Sequence, residues 1–142
     1  MKEVDKRKIT LDFIKRHKLA VLATADNNCN PEAAVIEFSQ KNNFELIFDT
    51  FSHFRKYKNI KNNPNVAVVI GWDEDITVQY EGNAVELKGA ELLKCVMIHA
   101  TKLPNVRKFT KIKGVKFFKI IPKWIRYNDL NTTPWNVFEI HF

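Results

Sequence analysis

The hydrophobic and polar residues of this chain follow two different spacings. In residues 5–17, 53–62 and 89–102 the apolar side chains recur every three or four positions among charged ones, which is the period of an amphipathic helix. Pro64 and Pro104 lie just beyond the second and third of these segments, where proline stops a helix. The pattern therefore predicts three helices, and the first is expected to cover the core.

The remaining apolar segments are short and have the character of β-strands. Turn-length links separate the first three, so these should pair as an antiparallel meander. Gly82 lies inside one strand and predicts a bulge or bend of the kind that closes a barrel. Six or more strands with few helices predict a mainly β fold that forms a closed or nearly closed barrel. The predicted strands are residues 19–25, 32–39, 44–48, 66–72, 77–87, 115–127 and 137–142.

The length and composition are those of one globular domain, expected over residues 1–142. The chain is 45% apolar and shows no repeat, low-complexity segment or internal boundary. No apolar run approaches the roughly 18 residues of a membrane span, and the charged start lacks the apolar block of a secretory signal. We therefore expect a cytoplasmic protein that does not cross a membrane, in which Cys29 and Cys95 stay reduced.

The formal net charge of +7 favours anionic partners, and nucleic acid is the first to consider. The basic residues are dispersed over the first helix, the second helix and residues 102–123. They form no compact basic run, and the chain carries no aromatic RNA-binding signature. A smaller anion is therefore the better match, and no nucleic acid partner is predicted.

The junction between the third strand and the second helix carries the clearest chemical signal. The strand should end in a turn through Asp49, Thr50 and Ser52, which supplies hydroxyl groups. The helix is then predicted to begin at His53 with Ser52 as its N-cap. The first backbone N–H groups of a helix lack intrahelical acceptors and lie at the positive end of its dipole, so this start should attract an anion.

Two cations, Arg55 and Lys56, stand in the first turn of this helix. A solvated basic face is the ordinary alternative. Their position argues against it, because the helix dipole disfavours positive charge there by a few tenths of a kcal/mol unless an anion compensates. Hydroxyls, open N–H groups and two cations together predict a phosphate ester site. His53 either adds a hydrogen bond to that phosphate or stays solvated.

The other histidines, His17, His99 and His141, have no carboxylate or thiol partner at a telling distance in the sequence. No metal site and no Ser-His-Asp or Cys-His nucleophile is predicted from them.

Four fragments in their order resemble a known family. They are LAVLATADNNCNPEAAVIEF, FDTFSHFRKYKNIKNNPNVAVVIGW, TVQYEGNAVEL and PKWIRYNDL, and together they extend over nearly the whole chain. In order and spacing they are similar to the FMN-binding split barrels related to pyridoxamine 5′-phosphate oxidase. The resemblance implies a six-stranded antiparallel Greek-key split β-barrel with a few peripheral helices. It also implies a homodimer with two FMN molecules at its interface, each touched by both subunits.

The resemblance also implies roles for individual residues. Arg55 and Lys56 match the basic pair that holds the FMN phosphate, with Thr50 and Ser52 as hydroxyl partners. Thr77 stands where the family places a polar side chain near the flavin. Trp135 either lies against the flavin of the partner subunit or packs as an ordinary apolar ring. The candidate FMN-contacting residues are Glu32, Ala33, Ala34, Val35, Asp49, Thr50, Phe51, Ser52, Arg55, Lys56, Thr77 and Trp135.

Two departures from the family pattern bear on the substrate. The true oxidases carry an Arg and a Lys at the two ends of the second strand, whereas this chain has Glu32 and Glu37 at about those places. Carboxylates repel a substrate phosphate, so vitamin B6 oxidase activity is not expected. The substrate Arg that the oxidases carry near the C-terminus also lacks a clear counterpart.

The leading hypothesis is an FMN-dependent oxidoreductase acting on an unidentified small molecule. The scarcity of acid–base groups agrees with it, since a flavin carries the redox chemistry itself. The alternatives are a flavin-binding or flavin-storing protein without turnover, and a split barrel that binds haem or the deazaflavin F420.

Overall fold

The computed structural model of this chain describes residues 1–142 as three α-helices, one short 3₁₀ helix and seven β-strands. The helices are α1 (Glu3–Lys15), α2 (Arg55–Asn62) and α3 (Gly89–Lys102), and the 3₁₀ helix is Pro104–Lys108. The strands are β1 (Leu19–Ala25), β2 (Pro31–Gln40), β3 (Leu46–Phe51), β4 (Asn65–Ile70), β5 (Ile76–Glu86), β6 (Val115–Asp129) and β7 (Asn136–His141). None of the helices combines the length and apolar character that a membrane crossing requires.

Six of the strands form a closed antiparallel barrel. The order around it is β3-β2-β1-β4-β5-β6, and β6 pairs again with β3 to close the ring. Since β4 returns to lie beside β1, the first four strands form a Greek key. The seventh strand, β7, pairs with β6 outside the ring. The predicted mainly β barrel is confirmed.

The barrel bends sharply where β5 meets β6. The register between these strands shifts at Glu81 and Gly82, and Gly82 lies opposite Pro122. A Cβ atom at Gly82 would collide with the carbonyl oxygen of Ile121, so only glycine allows this approach. Because Pro122 has no N–H to donate, the irregular pair is also the place where a proline costs the sheet least. The bend predicted from Gly82 is confirmed.

The barrel interior is a single apolar core. Phe48 and Phe118 stack at 5.3 Å between ring centroids, and the single O–H of the buried Tyr80 lies within hydrogen-bond distance of the backbone oxygens of Phe44 and Ile120, which share it. Burial raises the pKa of Tyr80 far above its ordinary value, so this hydroxyl stays neutral. A second, smaller cluster that includes Ile47 lies on the outer side of β3, under α3.

Three local predictions around β3 and the start of α2 are wrong. Strand β3 begins at Leu46, because Phe44 adopts a positive φ of 70° in the preceding turn. The strand runs on to Phe51, so Asp49 and Thr50 are strand residues and not turn residues. Helix α2 begins at Arg55 with Phe54 at the N-cap position and no side-chain cap, so Ser52 does not cap it.

Candidate functional site

The start of α2 is built by a tight turn after β3. The N–H of Phe54 donates to the oxygen of Phe51 at 3.0 Å, and the N–H of Tyr57 donates to the oxygen of Phe54 at 3.1 Å. Arg55 and Lys56 are the first two residues of the helix, where backbone N–H groups have no intrahelical acceptor. The turn therefore presents two N–H groups and two cationic side chains together, as an anion site requires.

Two adjoining cavities lie on either side of this helix start. The first has a volume of about 320 Å³ and the second about 240 Å³, and they share Phe54 and Lys56. Together they extend along β2, whose residues line both. The first cavity is lined by Leu22, Thr24, Glu32, Ala33, Ala34, His53, Phe54, Arg55 and Lys56. The second is lined by Val35, Ile36, Glu37, Asp49, Thr50, Phe51, Phe54, Lys56 and Phe109.

A carboxylate is built into the first cavity. Glu32 accepts a hydrogen bond from the Asn59 side chain at 2.8 Å and pairs with Arg55 at 3.3 Å. Asn59 also donates to the hydroxyl of Thr24 at 3.0 Å, so the network is anchored in the barrel wall. Arg55 is 83% exposed at its side chain, whereas Glu32 is 22% exposed. The glutamate is therefore held in place, and the arginine is the partner that is free to move.

Lys56 is the cation that belongs to both cavities. Partial burial lowers its pKa, and the nearby carboxylates of Asp49 and Glu32 act in the opposite direction. A lysine that is partly desolvated but surrounded by two carboxylates stays charged near neutral pH and gains from any additional anion.

Thr50 has an unsatisfied hydroxyl at this site. The residue is only 3% exposed and lines the second cavity beside Lys56. Its Oγ1 atom is buried without a hydrogen-bond partner. Buried hydroxyls are nearly always paired, and an unpaired one costs about 1–3 kcal/mol. An unpaired hydroxyl beside a cation is typical of a site that binds a polar ligand.

A hydrogen-bonded chain of three side chains reaches the second cavity from behind. The Nδ1 atom of His99 lies 2.6 Å from the hydroxyl of Ser39, and its Nε2 atom lies 3.1 Å from a carboxylate oxygen of Asp49. Ser39 and His99 are fully buried under α3. The hydrogen bonds among these side chains were not predictable from the sequence, because the three residues are far apart on β2, β3 and α3 and no local signal marks them.

Most of the predicted site residues come together. Nine of the twelve line the two cavities: Glu32, Ala33, Ala34, Val35, Asp49, Thr50, Phe51, Arg55 and Lys56. Ser52 does not, since its N–H donates to Gly114 at 2.8 Å and its side chain lies next to that residue. Thr77 and Trp135 lie elsewhere, at one end of the β5-β6-β7 segment of the sheet. Trp135 does not pack as an ordinary core ring, because it is 67% exposed.

The arrangement has the groups that an anion site requires and offers no accessible nucleophile. Ser39 sits in a Ser-His-Asp sequence of hydrogen bonds, but it is completely buried and no substrate reaches it. No group of three or more His, Cys, Asp or Glu side chains is placed to hold a metal ion. The groups that are available are the helix start, the two cations, the free hydroxyl of Thr50 and the anchored carboxylate of Asp49.

Comparison with known proteins gives matches at the level of family and fold. A family model described as pyridoxamine 5′-phosphate oxidase matches residues 8–129. No curated protein sequence matches the chain.

The similar solved structures share the barrel at low sequence identity. ChuZ from Campylobacter jejuni aligns with a TM-score of 0.83 and 16% identity, over 99% of this chain and 61% of ChuZ. General Stress Protein 26 from Bacillus anthracis aligns with a TM-score of 0.74 and 22% identity, over 96% of this chain and 98% of its own. HutZ, the heme storage protein from Vibrio cholerae, aligns with a TM-score of 0.72 and 16% identity, over 82% of this chain and 89% of HutZ. At these identities the similarity concerns the fold.

Proposed function

This chain belongs to the pyridoxamine 5′-phosphate oxidase family, and from that premise we propose that it binds FMN and transfers electrons or hydride through it to a small molecule. The observation that carries the proposal is the uncapped helix start at which Arg55 and Lys56 line one cavity; the buried, unpaired hydroxyl of Thr50 lies beside Lys56 in the adjoining cavity. The FMN phosphate supplies acceptor oxygens for the hydroxyl, for the helix N–H groups and for both cations.

The phosphate has to compete with Glu32 for Arg55. The Arg55–Glu32 pair is 3.3 Å long and its arginine is mostly exposed, so it contributes only about 0–1 kcal/mol. A phosphate monoester carries about 1.5 to 2 negative charges near neutral pH and forms stronger, charge-assisted bonds with guanidinium. Arg55 therefore turns from Glu32 to the phosphate when the ligand binds.

The bound flavin supplies the redox chemistry, and this chain binds and orients it. Strand β2 runs along both cavities and offers its backbone groups as a floor for the ring. Glu32 and Glu37 place negative charge at the two ends of this floor. A second phosphate on a substrate would be repelled there, so the substrate is not pyridoxal phosphate or a related vitamin B6 phosphate.

The functional unit is a homodimer that completes the FMN site. The outward face of β2, β1 and β4 is apolar, with Val35, Val21 and Val69 in one row of the sheet. Leu19 on the same face is 45% exposed and Val35 is 61% exposed. Exposed aliphatic side chains in register on one sheet face are typical of a subunit interface. In this proposal Thr77 and Trp135 reach the flavin from the partner subunit.

The phosphate assignment predicts the behaviour of one double variant. Arg55→Ala with Lys56→Ala removes two charge-assisted bonds worth about 1.5–3 kcal/mol each, so the Kd for FMN should rise at least about 100-fold. Quenching of flavin fluorescence during titration measures this. Lys58→Ala is the matched control, because Lys58 is an exposed cation on the same helix that lines neither cavity. Unchanged FMN affinity in the double variant would show that the phosphate binds elsewhere.

The redox part of the proposal has its own test. If the protein is an oxidoreductase, NADH or NADPH added without oxygen should bleach the visible band of the FMN-loaded wild type. A protein that holds FMN but is not reduced by these donors would instead be a flavin-binding or storage protein. The double variant cannot give this answer, because it acts on binding alone.

Haem binding is the second candidate. HutZ, which shares the fold, is a heme storage protein, and His53 lines the first cavity beside Arg55. An imidazole can bind haem iron, and the cations can pair with the haem carboxylates. Titration with hemin, followed by its visible spectrum, tests this. Tight binding that is lost in His53→Ala, together with weak FMN binding, would favour haem. The same titration with F420 tests the deazaflavin alternative.

A further inference from the structure

The buried chain of Ser39, His99 and Asp49 has no role in the phosphate site described above. Its hydrogen bonds are 2.6 Å and 3.1 Å long, and both Ser39 and His99 are fully buried. The ring of Phe117 packs edge-on against His99 at 6.1 Å. Ordering three polar side chains in an apolar setting is costly unless all of them are satisfied, so the chain is a built feature of the fold.

The chemistry of the three groups fixes the proton positions. A carboxylate only accepts hydrogen bonds, so Nε2 of His99 carries the proton and donates it to Asp49. In the neutral ring Nδ1 is then an acceptor, and the Ser39 hydroxyl donates to it. This tautomer satisfies His99 completely without burying a positive charge. The role of Ser39 is to select the tautomer, and the role of His99 is to hold the carboxylate.

Only one oxygen of Asp49 is used by this chain. Its side chain is 21% exposed and lines the second cavity, next to Lys56. The other oxygen makes no hydrogen bond within the protein, so a fixed, anionic acceptor faces the ligand space. Such a group repels a phosphate and attracts hydroxyl donors.

We propose that Asp49 recognises the hydroxyl groups of the polyol chain that joins the flavin ring to its phosphate, and that His99 and Ser39 are positioning residues for it. This inference rests on the proposed function. Lys56 lies between the two sites, since it lines the phosphate cavity and also the cavity that holds Asp49. A polyol that leaves the phosphate and passes Lys56 therefore meets Asp49 next.

The experiment compares three flavins that differ by one part each. FMN carries both the polyol and the phosphate, riboflavin carries the polyol alone, and lumiflavin carries neither. The ratio of the Kd values of riboflavin and FMN measures the phosphate contribution, and the ratio for lumiflavin and riboflavin measures the polyol contribution. In Asp49→Ala the polyol ratio should fall about tenfold, because a charged acceptor is lost, while the phosphate ratio stays within about twofold. In Arg55→Ala with Lys56→Ala the phosphate ratio should fall, while the polyol ratio stays within about twofold of wild type.

Glu139→Ala is the control. Glu139 is an exposed carboxylate on β7 that lines neither cavity, so its removal should leave the polyol ratio within about twofold of wild type. The positioning role predicts that His99→Leu lowers the polyol ratio about threefold or more and that His99→Gln, which keeps a donor for Asp49, restores part of it. The polyol ratio of Ser39→Ala should lie between those of His99→Leu and His99→Gln.

A measurement without ligand tests the hydrogen-bonded chain itself. Proton–nitrogen NMR of the imidazoles should show His99 as the Nε2–H tautomer in the wild type, and Ser39→Ala should shift its Nδ1 signal. His141→Leu, at an exposed histidine, serves to remove an unrelated signal. Far-UV circular dichroism shows which variants are folded, and Asp49→Asn replaces Asp49→Ala if the latter is not.

The possible failures are distinguishable. If the wild type binds none of the three flavins, the proposed function and this inference both fail. If the wild type binds FMN but the polyol ratio of Asp49→Ala equals that of wild type, only the recognition by Asp49 is overturned. If His99 is found as the Nδ1–H tautomer, the positioning role is overturned whatever the affinities are.

Discussion

The balance between burial and pairing sets the behaviour of the individual lysines. The amino group of Lys102 lies 2.5 Å from the Gln40 side-chain oxygen and 4.2 Å from the centre of the Phe38 ring. Neither partner is an anion. Burial, together with the positive charge of Lys18, lowers the pKa of Lys102 to about 8. Lys56 differs, because Asp49 and Glu32 oppose the effect of its burial.

Lys102 should therefore make the stability of the protein depend on pH in the alkaline range. The folded pKa of about 8 lies below the ordinary lysine value of 10.5. Between these values the unfolded chain binds one more proton than the folded one, so stability rises with pH across that window. Below pH 8 Lys102 is charged in both the folded and the unfolded chain, so the full free-energy cost of burying its charge is present. After solvent screening, Lys102→Met should gain about 1 kcal/mol at pH 7.

Urea denaturation at several pH values between 7 and 10 measures both effects. The advantage of Lys102→Met over wild type should shrink as the pH rises. Lys94→Met, at an exposed lysine on the same helix, should change stability by less than about 0.5 kcal/mol at every pH. An advantage of Lys102→Met that does not change with pH would contradict the burial argument.

Helix α2 shows how an unfavourable element is kept in place. It is eight residues long, has no side-chain cap and begins with two cations, all of which weaken it. Tertiary contacts hold it: Ile60 is buried, and the hydroxyl of Tyr57 donates to Glu86 at 2.8 Å. Burial would raise the pKa of Glu86, but this bond and three nearby lysines together lower it, so the anchor stays ionised. Tertiary contacts, and not its own sequence, therefore fix the position of this helix.

The bend between β5 and β6 gives the prediction that belongs to the element scale. Gly82→Ala places a methyl group against the Ile121 backbone, which cannot move without breaking the ladder. It should cost about 3 kcal/mol or more of unfolding free energy, as overpacked or strained sites do. Gly89→Ala separates this effect from backbone strain, because Gly89 has a φ of +62° and open space. It should cost only about 1 kcal/mol. Equal losses by urea denaturation would argue against the steric cause.

The whole molecule presents one face that a monomer does not need. Leu19, Val21, Val35 and Val69 form an aliphatic group on the outward rows of β2, β1 and β4, while the end of β2 at Ser39 and Gln40 is covered by α3. Since the two cavities lie along β2, a subunit packed on this face would close them from above. Site and interface would then form together.

Leu19→Lys tests this arrangement. Leu19 is 45% exposed and pairs across the strands with Glu37, so a lysine is tolerated in the monomer. It should weaken dimerisation by about 2 kcal/mol or more, as a charge at an interface core does. Light scattering after size-exclusion chromatography measures the mass. Leu93→Lys, on the exposed face of α3, should leave the dimer intact. A wild type that is monomeric at high concentration would refute the proposed dimer.

The elements were predictable because their signals are local. The spacing of apolar residues gave three helices and seven strands, and Gly82 marked the bend, since periodicity and glycine geometry act within a few residues. Errors concentrated at the β3–α2 junction. There Ser52 has the right chemistry for an N-cap, but its N–H is bound by Gly114, and the helix starts three residues later. A competing contact from a distant loop cannot be read from the local sequence.

By itself the sequence determined the order of helices and strands, the barrel class and the cationic helix start, because each depends on residues that are neighbours along the chain. Only the tertiary structure decided that Glu32 holds Arg55, that Thr50 keeps a free hydroxyl, and that Ser39 and His99 fix Asp49. These contacts join residues 23 to 60 positions apart or depend on a missing partner. These contacts form only when the barrel closes, and the spacing of residues along the chain does not predict them.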